Sequence, residues 1–292
     1  MGNNTIVINR EDGVSKVIET LNQFVRNGDY VFRGYEKQSE LLPNIMRDSG
    51  FANSEFANSE KELLYLFERY GSNYFSATTA IDFMSYGQHF GIPTRLLDFT
   101  FNPFIALFFS LYKDKGTNYE EDEDKYYYYI RYASLKDNIR IPDIPLNTSF
   151  TGNDKTRISS LSELSCKEIK VIEKLFDQNF HGVINFYEGL DIFESIDSIR
   201  KKASDQVIVF VTPNFSNQRI IMQQGLFMLP YTLNKDRHLE ILNKNSMIVK
   251  IHKDLRRELI QYLDAIGFNT FRLMPDLNSV CGGIRRKIKE GF

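Results

Sequence analysis

One stretch of the sequence, from Tyr86 to Tyr112, restricts the possible folds of this chain more than any other. It reads YGQHFGIPTRLLDFTFNPFIALFFSLY, so that charged, amide and hydroxyl side chains stand within an otherwise apolar segment. Burying such groups without partners is strongly destabilising. We therefore expect this stretch to form part of a site as well as part of the core.

The composition and charge exclude several classes of protein. The 292 residues carry a net charge of -2, so there is no global basic field, and nucleic acid is a poor candidate partner. No apolar run approaches the ~18 residues of a membrane span, and the N-terminus lacks the pattern of a signal peptide. We expect a cytoplasmic protein without a membrane partner. The two cysteines and four histidines lack zinc-type spacing, so no metal site is predicted.

Hydrophobic periodicity predicts interleaved helices and strands. The predicted helices are 14–27, 60–84 with a break at Gly71, the segment after Asn102-Pro103, and 254–266; the predicted strands are 30–34, 126–132, 206–212, the part of 218–230 beyond Gly225, and 247–251.

These elements show no regular βαβ period, which favours an α+β fold. We predict a single domain over 1–292, with a mixed or split central β-sheet and surrounding helices. Residues 137–165 are rich in Asn, Asp, Pro, Ser and Thr and are predicted to be loop. They belong to a loop insertion expected around 113–165.

Arg33 and Gly34 stand at the end of the first predicted strand. A guanidinium there can fork onto a phosphate or a carboxylate, while the glycine lets a ligand approach the backbone. A purely structural alternative has equal weight, in which Arg33 pairs with Asp98 or with a helix C-terminus.

His89 and Asp98 are the titratable candidates in the central stretch. His89 can hydrogen-bond a ribose hydroxyl or act as a general base, although a lone histidine is more often structural. Asp98 follows Arg95 by three residues and can pair with that arginine or with Arg33. Packing alone explains neither Asp98 nor Thr94.

Hydroxyl and amide side chains complete the candidate set. Thr100 and Asn102 fit a cap before Pro103 at the first position of a helix. Gln223 and Gln224 precede an apolar strand, where paired amides can bind a nicotinamide amide, a base edge or backbone. The alternative for the two glutamines is a turn at the edge of a sheet.

Several well-known motifs are missing from the sequence. There is no G-x-x-x-x-G-K-[ST], no G-x-G-x-x-G after a strand, no G-x-S-x-G and no H-E-x-x-H. This argues against a P-loop NTPase, a Rossmann enzyme, a serine hydrolase of the usual kind and a zincin.

Four separated segments follow a common pattern over about 30–280. They are Phe32-Arg33-Gly34 with Leu42-Pro43 and Arg47, Gln88 to Thr100 with Asn102-Pro103 and Ala106-Leu107, Arg219-Ile220 with Gln223 to Phe227, and Pro275-Asp276-Leu277. In this order they resemble the FRG domain, except that Phe99 stands where family members often have Trp. FRG domains are mostly prokaryotic, and some are associated with phage defence.

A more remote likeness, at the level of architecture, is to ADP-ribosyltransferases. Those enzymes carry an Arg or His on an early strand, a hydroxyl residue on a strand that feeds a helix, and a Glu beside a late strand. Arg33, Thr100 and Gln223-Gln224 follow the same order here. Glutamine replaces the glutamate that binds and polarises the ribose 2′-hydroxyl, so another group must act in its place, or no turnover occurs.

The likeness implies a role for each candidate. Arg33 would hold phosphate, His89 and Thr100 the nicotinamide ribose, and Asp98 would orient an arginine. The predicted catalytic residues are His89, Asp98 and Gln224, and the predicted ligand-binding residues are Arg33, Gly34, Arg95, Thr100 and Gln223.

Two functions follow from these resemblances. The first is an ADP-ribosyltransferase-like effector of prokaryotic antiphage defence, with NAD as a substrate and no permanently bound cofactor. The second is a non-catalytic sensor that recognises a phage or host protein or a nucleotide signal. The oligomeric state stays open.

Overall fold

The computed structural model describes residues 5–47, 56–71, 73–74, 80–112, 126–142, 208–213, 218–230 and 233–290. Within the insertion predicted around 113–165, residues 113–125 and 143–165 lie outside the described part. The single-domain assignment for 1–292 stays a prediction.

The described elements alternate between strands and helices along the chain. The strands are β1 (Thr5–Ile8), β2 (Tyr30–Tyr35), β3 (Leu97–Thr100), β4 (Tyr127–Ser134), β5 (Ile139–Pro142), β6 (Val209–Thr212), β7 (Gly225–Met228) and β8 (Met247–His252). The helices are α1 (Gly13–Asn27), α2 (Asn44–Arg47), α3 (Phe56–Gly71), α4 (Ala80–His89), α5 (Pro103–Tyr112), α6 (Gln218–Met222), α7 (Lys235–Lys244), α8 (Arg256–Ala265), α9 (Thr270–Leu273) and α10 (Leu277–Glu290). Short 3-10 turns occur at Arg10–Asp12, Gln38–Leu41 and Lys253–Leu255.

The eight described strands form one mixed sheet in the order β1-β8-β4-β2-β3-β7-β6-β5. The outermost pairs, β1 with β8 and β5 with β6, are parallel. All pairs between them are antiparallel. This confirms the predicted α+β class with a mixed central sheet and surrounding helices.

Helices cover both faces of the sheet. Because successive side chains of a strand point to opposite faces, the neighbours Val31 and Phe32 on β2 enter different cores. The Phe32 core is filled by α1, α5 and α8, which contribute Leu21, Leu107 and Leu259 among others. The Val31 core is covered by α7 through Ile241 and Leu242.

Local signals set several element boundaries as predicted. α1 ends at Gly28, whose φ of 70° is the left-handed conformation that glycine tolerates at a helix end. α5 begins at Pro103, and the Oδ1 atom of Asn102 accepts a 3.0 Å hydrogen bond from the Phe104 amide. α3 ends at Gly71, where the sequence indicated a break.

The segment Ile139–Pro142 corrects one prediction, because it forms β5 where loop was expected. Its register pairs Ile139 with Val209, so a partner 70 residues away supplies the hydrogen bonds that the local composition does not suggest. β2 also continues through Gly34 to Tyr35 instead of stopping at the glycine. The elements β1, α2, α7, α9 and α10 had no sequence prediction, and β3 was implied only by the likeness to ADP-ribosyltransferases.

Candidate functional site

A cavity of about 330 Å³ opens between the centre of the sheet and the helices α2, α4, α5 and α6. Its lining brings together residues from across the chain, including six of the eight predicted site residues. Those six are Arg33, Gly34, His89, Asp98, Thr100 and Gln223.

Arg33 lines this cavity and is held by backbone carbonyls. Its Nε and Nη2 atoms donate to the Glu40 carbonyl at 3.1 and 2.7 Å, and Nη1 donates to the Asp98 carbonyl at 2.6 Å. Burial lowers the pKa of the Arg33 guanidinium, and the Asp98 charge partly opposes this effect. These bonds use three of its five N–H groups, so Arg33 is fixed in place and still presents donors to the cavity.

Both alternatives considered for Arg33 therefore apply at once. It is a structural clamp between β2, β3 and the Gln38–Leu41 turn, and it also lines the cavity. Its Nη1 atom lies 3.9 Å from the Asp98 carboxylate, which is a loose ion pair.

Gly34 has a packing function that the sequence did not indicate. A β-carbon built on Gly34 would overlap the Ala106 carbonyl and crowd the Ser110 amide. Helix α5 therefore packs directly on the backbone of β2, which only glycine permits. Gly34 lines the cavity as well, but a glycine is needed at this position because α5 packs against its backbone.

The Asp98 carboxylate reaches the cavity from β3. Its side chain is 60% exposed, and both of its oxygens accept from the Gln88 amide nitrogen, at 3.0 and 3.1 Å. The amide oxygen of Gln88 in turn accepts the Thr94 hydroxyl at 2.7 Å. The carboxylate is thus held in one orientation without being buried.

His89 and Arg219 form a pair at another part of the lining. The distance between His89 Nδ1 and Arg219 Nη1 is 3.2 Å, and a guanidinium can only donate. Nδ1 is therefore the acceptor, and the neutral ring carries its proton on Nε2. Burial and then the Arg219 charge lower the pKa of His89, while Asp276 opposes them. His89 suits a hydrogen-bond donor better than a general base.

Thr100 and Gln223 line the cavity but use their hydrogen-bonding groups within the protein. The Thr100 hydroxyl donates to the Gln223 carbonyl at 2.7 Å and accepts the Asn102 amide at 3.1 Å. The Gln223 side-chain nitrogen donates to the Leu273 carbonyl at 2.8 Å. The Thr100 bond links β3 to the residue that follows α6, and the Gln223 side chain links the same place to α9.

Two predicted site residues lie away from the cavity lining. Arg95 is buried and points to Glu60, with Nη2 and Oε2 2.7 Å apart. Gln224 is exposed, with a φ of 46°, and its backbone carbonyl accepts the Phe101 amide at 3.0 Å. Their positions follow from an ion pair and a turn, and neither was predictable from its own neighbours.

Sequence reasoning did not assign Arg47 and Arg219 to the site, although both belong to the family-like segments. Arg47 is exposed at the end of α2 and donates to the Asn44 side chain. With Arg33, they place three guanidinium groups around one cavity, against the carboxylates of Glu40 and Asp98. Because His89 is neutral, the lining has a surplus of positive charge among the described residues.

Aromatic side chains from α5 form another part of the lining. Phe109 and Tyr112 face the cavity, and the Arg286 guanidinium of α10 stacks on the Tyr112 ring at 4.0 Å from its centroid. A ligand with an anionic group and a flat ring would find complementary groups here.

The described residues contain neither a cluster of metal-ligating side chains nor a helix that could span a membrane. No group of three or more His, Cys, Asp or Glu side chains is placed to hold a metal ion there. No helix in the same part of the chain is long and apolar enough to cross a membrane.

The comparison with protein families agrees with the resemblance seen at Phe32-Arg33-Gly34 and in the segment from Gln88 to Thr100. Residues 28–119 match the model of the FRG domain. The matched range includes Arg33, Arg47, His89 and Asp98, but Arg219 lies outside it. No curated protein and no solved structure matched the chain.

Proposed function

We propose that the cavity binds a phosphate-bearing nucleotide, with NAD as the first candidate, and that the protein is an ADP-ribosyltransferase-like effector of prokaryotic antiphage defence acting in the cytoplasm. The observation that carries this proposal is the convergence of Arg33, Arg47 and Arg219 on one cavity that also contains Asp98 and aromatic side chains.

The chemistry of the lining supports a nucleotide over other small molecules. Guanidinium groups match the geometry of phosphate oxygens, and Phe109 and Tyr112 offer faces for a planar base or nicotinamide ring. The volume of about 330 Å³ is at the lower end of ligand sites. It accommodates a mononucleotide, so the second half of a dinucleotide would extend beyond the cavity.

The proposed transfer needs no group beyond NAD and an acceptor. The bond between the nicotinamide nitrogen and ribose C1′ breaks, and nicotinamide leaves with the electron pair. An acceptor oxygen then bonds to C1′ and loses its proton. Asp98 is the carboxylate available to stabilise the positive charge at C1′ and to take that proton, because it is exposed and held by Gln88.

One observation favours the second function, a sensor that binds the ligand without turnover. The Thr100 hydroxyl and the Gln223 amide, which occupy the transferase-like positions, both bond to protein carbonyls. Their N–H and O–H donors are therefore not available to a ribose unless those bonds break, and an amide oxygen polarises a hydroxyl less than a carboxylate does. The two functions share the cavity and differ only in whether nicotinamide is released.

Calorimetry with NAD tests the shared part of the proposal. Arg47→Ala and Arg219→Ala are expected to weaken NAD binding about tenfold or more, since each removes a charged donor. Arg26→Ala is the matched control because Arg26 is exposed in the last turn of α1 and does not line the cavity. No measurable NAD binding by the wild-type protein, or an equal loss in the Arg26 variant, would contradict the proposal.

Nicotinamide release then separates the two functions. An enzyme releases nicotinamide from NAD in the presence of cell lysate, and Asp98→Asn abolishes the release even at NAD concentrations that saturate the variant. A sensor binds NAD and releases none. For the role in defence, plaque counts on cells that express the chain should fall, and Arg219→Ala should restore them.

A further inference from the structure

A relay of three side chains, Thr94, Gln88 and Asp98, fixes the Asp98 carboxylate, which is 60% exposed at the cavity. We propose that Asp98, positioned by Thr94 through Gln88, recognises the ribose hydroxyls of the ligand, so that the site selects ribonucleotides over their 2′-deoxy forms. This inference rests on the proposed function, because it names the part of the nucleotide that Asp98 contacts.

The first step of the argument is the placement of Asp98. Its backbone carbonyl accepts from Arg33, and β3 is paired with β7 on its other side through the register Asp98 to Phe227. The strand position is therefore fixed by two neighbours. The side chain remains 60% exposed and lines the cavity, so a ligand can reach it.

The second step is the bond from Gln88. The amide nitrogen lies 3.0 and 3.1 Å from the two carboxylate oxygens, so one donor group spans both. Two carboxylate oxygens offer about four acceptor positions in all. Arg33 Nη1 lies 3.9 Å from one of these oxygens, and the remaining positions are open to donors from a ligand in the cavity.

The third step is the orientation of the amide, which Thr94 determines. Thr94 is fully buried, and its oxygen accepts the Leu96 amide at 3.3 Å. Its single hydroxyl proton is donated to the Gln88 amide oxygen at 2.7 Å. With its oxygen fixed by Thr94, the amide presents its nitrogen to Asp98. Without the Thr94 hydroxyl, the amide oxygen loses its partner, and the Gln88 side chain is less firmly held in the position from which it binds Asp98.

The ligand class follows from these three steps. A carboxylate that offers only acceptors requires donors from the ligand, and the arginines of the same cavity require an anion. The vicinal hydroxyls of a ribose supply two donors, and the attached phosphate supplies the anion. Phosphate alone satisfies only the arginines, and a deoxyribose loses one of the two donors.

The test compares nicotinamide mononucleotide with its 2′-deoxy analogue, since the two differ by one hydroxyl and their size suits the cavity. Calorimetry on the wild-type protein should show about tenfold tighter binding of the ribose form. Thr94→Val, which removes the hydroxyl and keeps the shape, should reduce this preference to less than about threefold. The affinity for the deoxy form should change less than about twofold.

A matched control is Thr20→Val in α1, where a buried threonine hydroxyl donates to the Lys16 carbonyl at 2.8 Å far along the chain from the relay. This variant should keep the wild-type preference. Gln88→Met is the second variant if Thr94→Val does not fold, and it should also remove the preference.

The outcomes separate this inference from the proposed function. Two results would contradict this inference: equal binding of both mononucleotides by the wild-type protein, or an unchanged preference in the relay variants. In either case Asp98 does not recognise the ribose, and the nucleotide proposal stands. If NAD and both mononucleotides fail to bind the wild-type protein, the proposed function falls, and this inference falls with it.

Discussion

Glu60 accepts two hydrogen bonds from Arg95, from its backbone amide and its Nε atom, and forms an ion pair with its Nη2 atom, each at 2.7 Å. The two side chains are 1% and 7% exposed, so this ion pair lies in the interior between α3 and the segment that leads into β3. It holds the central stretch in place from outside the cavity.

We therefore expect Glu60→Ala to destabilise the protein by about 3–5 kcal/mol, because the Arg95 charge stays buried without its partner. Urea denaturation measures the change. Glu240→Ala is the control, since Glu240 pairs with Arg237 at the same 2.7 Å but on the surface, and should change stability by less than ~1 kcal/mol. Similar losses for both variants would contradict the role of burial.

Gly34→Ala should be among the most damaging single-methyl substitutions in the described chain. The added β-carbon would overlap the Ala106 carbonyl, so α5 must move away from β2 at a cost of about 3 kcal/mol or more. Thermal unfolding measures it. Gly282→Ala in α10 meets nothing within 4 Å and should instead stabilise by up to ~1 kcal/mol. A mild effect at Gly34 would mean that α5 adjusts easily.

His238 gives stability a dependence on pH. It is buried, its Nε2 atom lies 2.9 Å from the Leu41 carbonyl, and burial lowers its pKa in the fold below the value of 6.5. As pH falls, the unfolded chain therefore protonates His238 at a higher pH than the folded protein does. The contribution of neutral His238 to the free energy of unfolding is fully present above about pH 6.5. It is lost as pH falls from there through the lowered pKa of the folded protein.

Urea denaturation at pH 7.5 and pH 5.5 checks this expectation. The wild-type protein should be less stable at pH 5.5, and His238→Gln should show a smaller difference between the two pH values. His252→Gln, which leaves His238 in place, should keep the wild-type difference. An unchanged difference in the His238 variant would assign the pH dependence to other groups.

Asn102→Ala tests the start of α5. The variant loses the acceptor for the Phe104 amide and should lose about 1 kcal/mol of stability. Asn102→Asp keeps an acceptor at this helix N-terminus and should stay within about 0.5 kcal/mol of the wild-type protein. Equal losses in chemical denaturation of the two variants would show that the cap bond is not what Asn102 contributes.

The sequence was most informative where the determining signal is local. Asn102 and Pro103 predicted the start of a helix, and Gly28 predicted the end of one, because caps and breakers act within one turn. The strand β5 was missed because its partner β6 is 70 residues away, so nothing near Ile139 indicates the pairing.

The same distinction holds for the candidate site. Arg33 and Arg95 were both predicted to bind a ligand, but Arg95 pairs with Glu60, 35 residues earlier in the chain, and so lies away from the cavity lining. Arg219 reaches His89 across 130 residues, so its place at the cavity depends on the sheet order. Residue types indicated the chemistry, while long-range packing decided which side chains meet.

The position of β2 between β3 and β4 limits how the FRG segment can be isolated. The matched range 28–119 contains β2 and β3, but β4 and β7, which flank them, lie outside it. A fragment cut at those limits would expose two open strand edges and would lack Arg219. The matched segment therefore depends on strands outside it for two of its sheet pairings, and we expect a fragment limited to 28–119 not to fold alone.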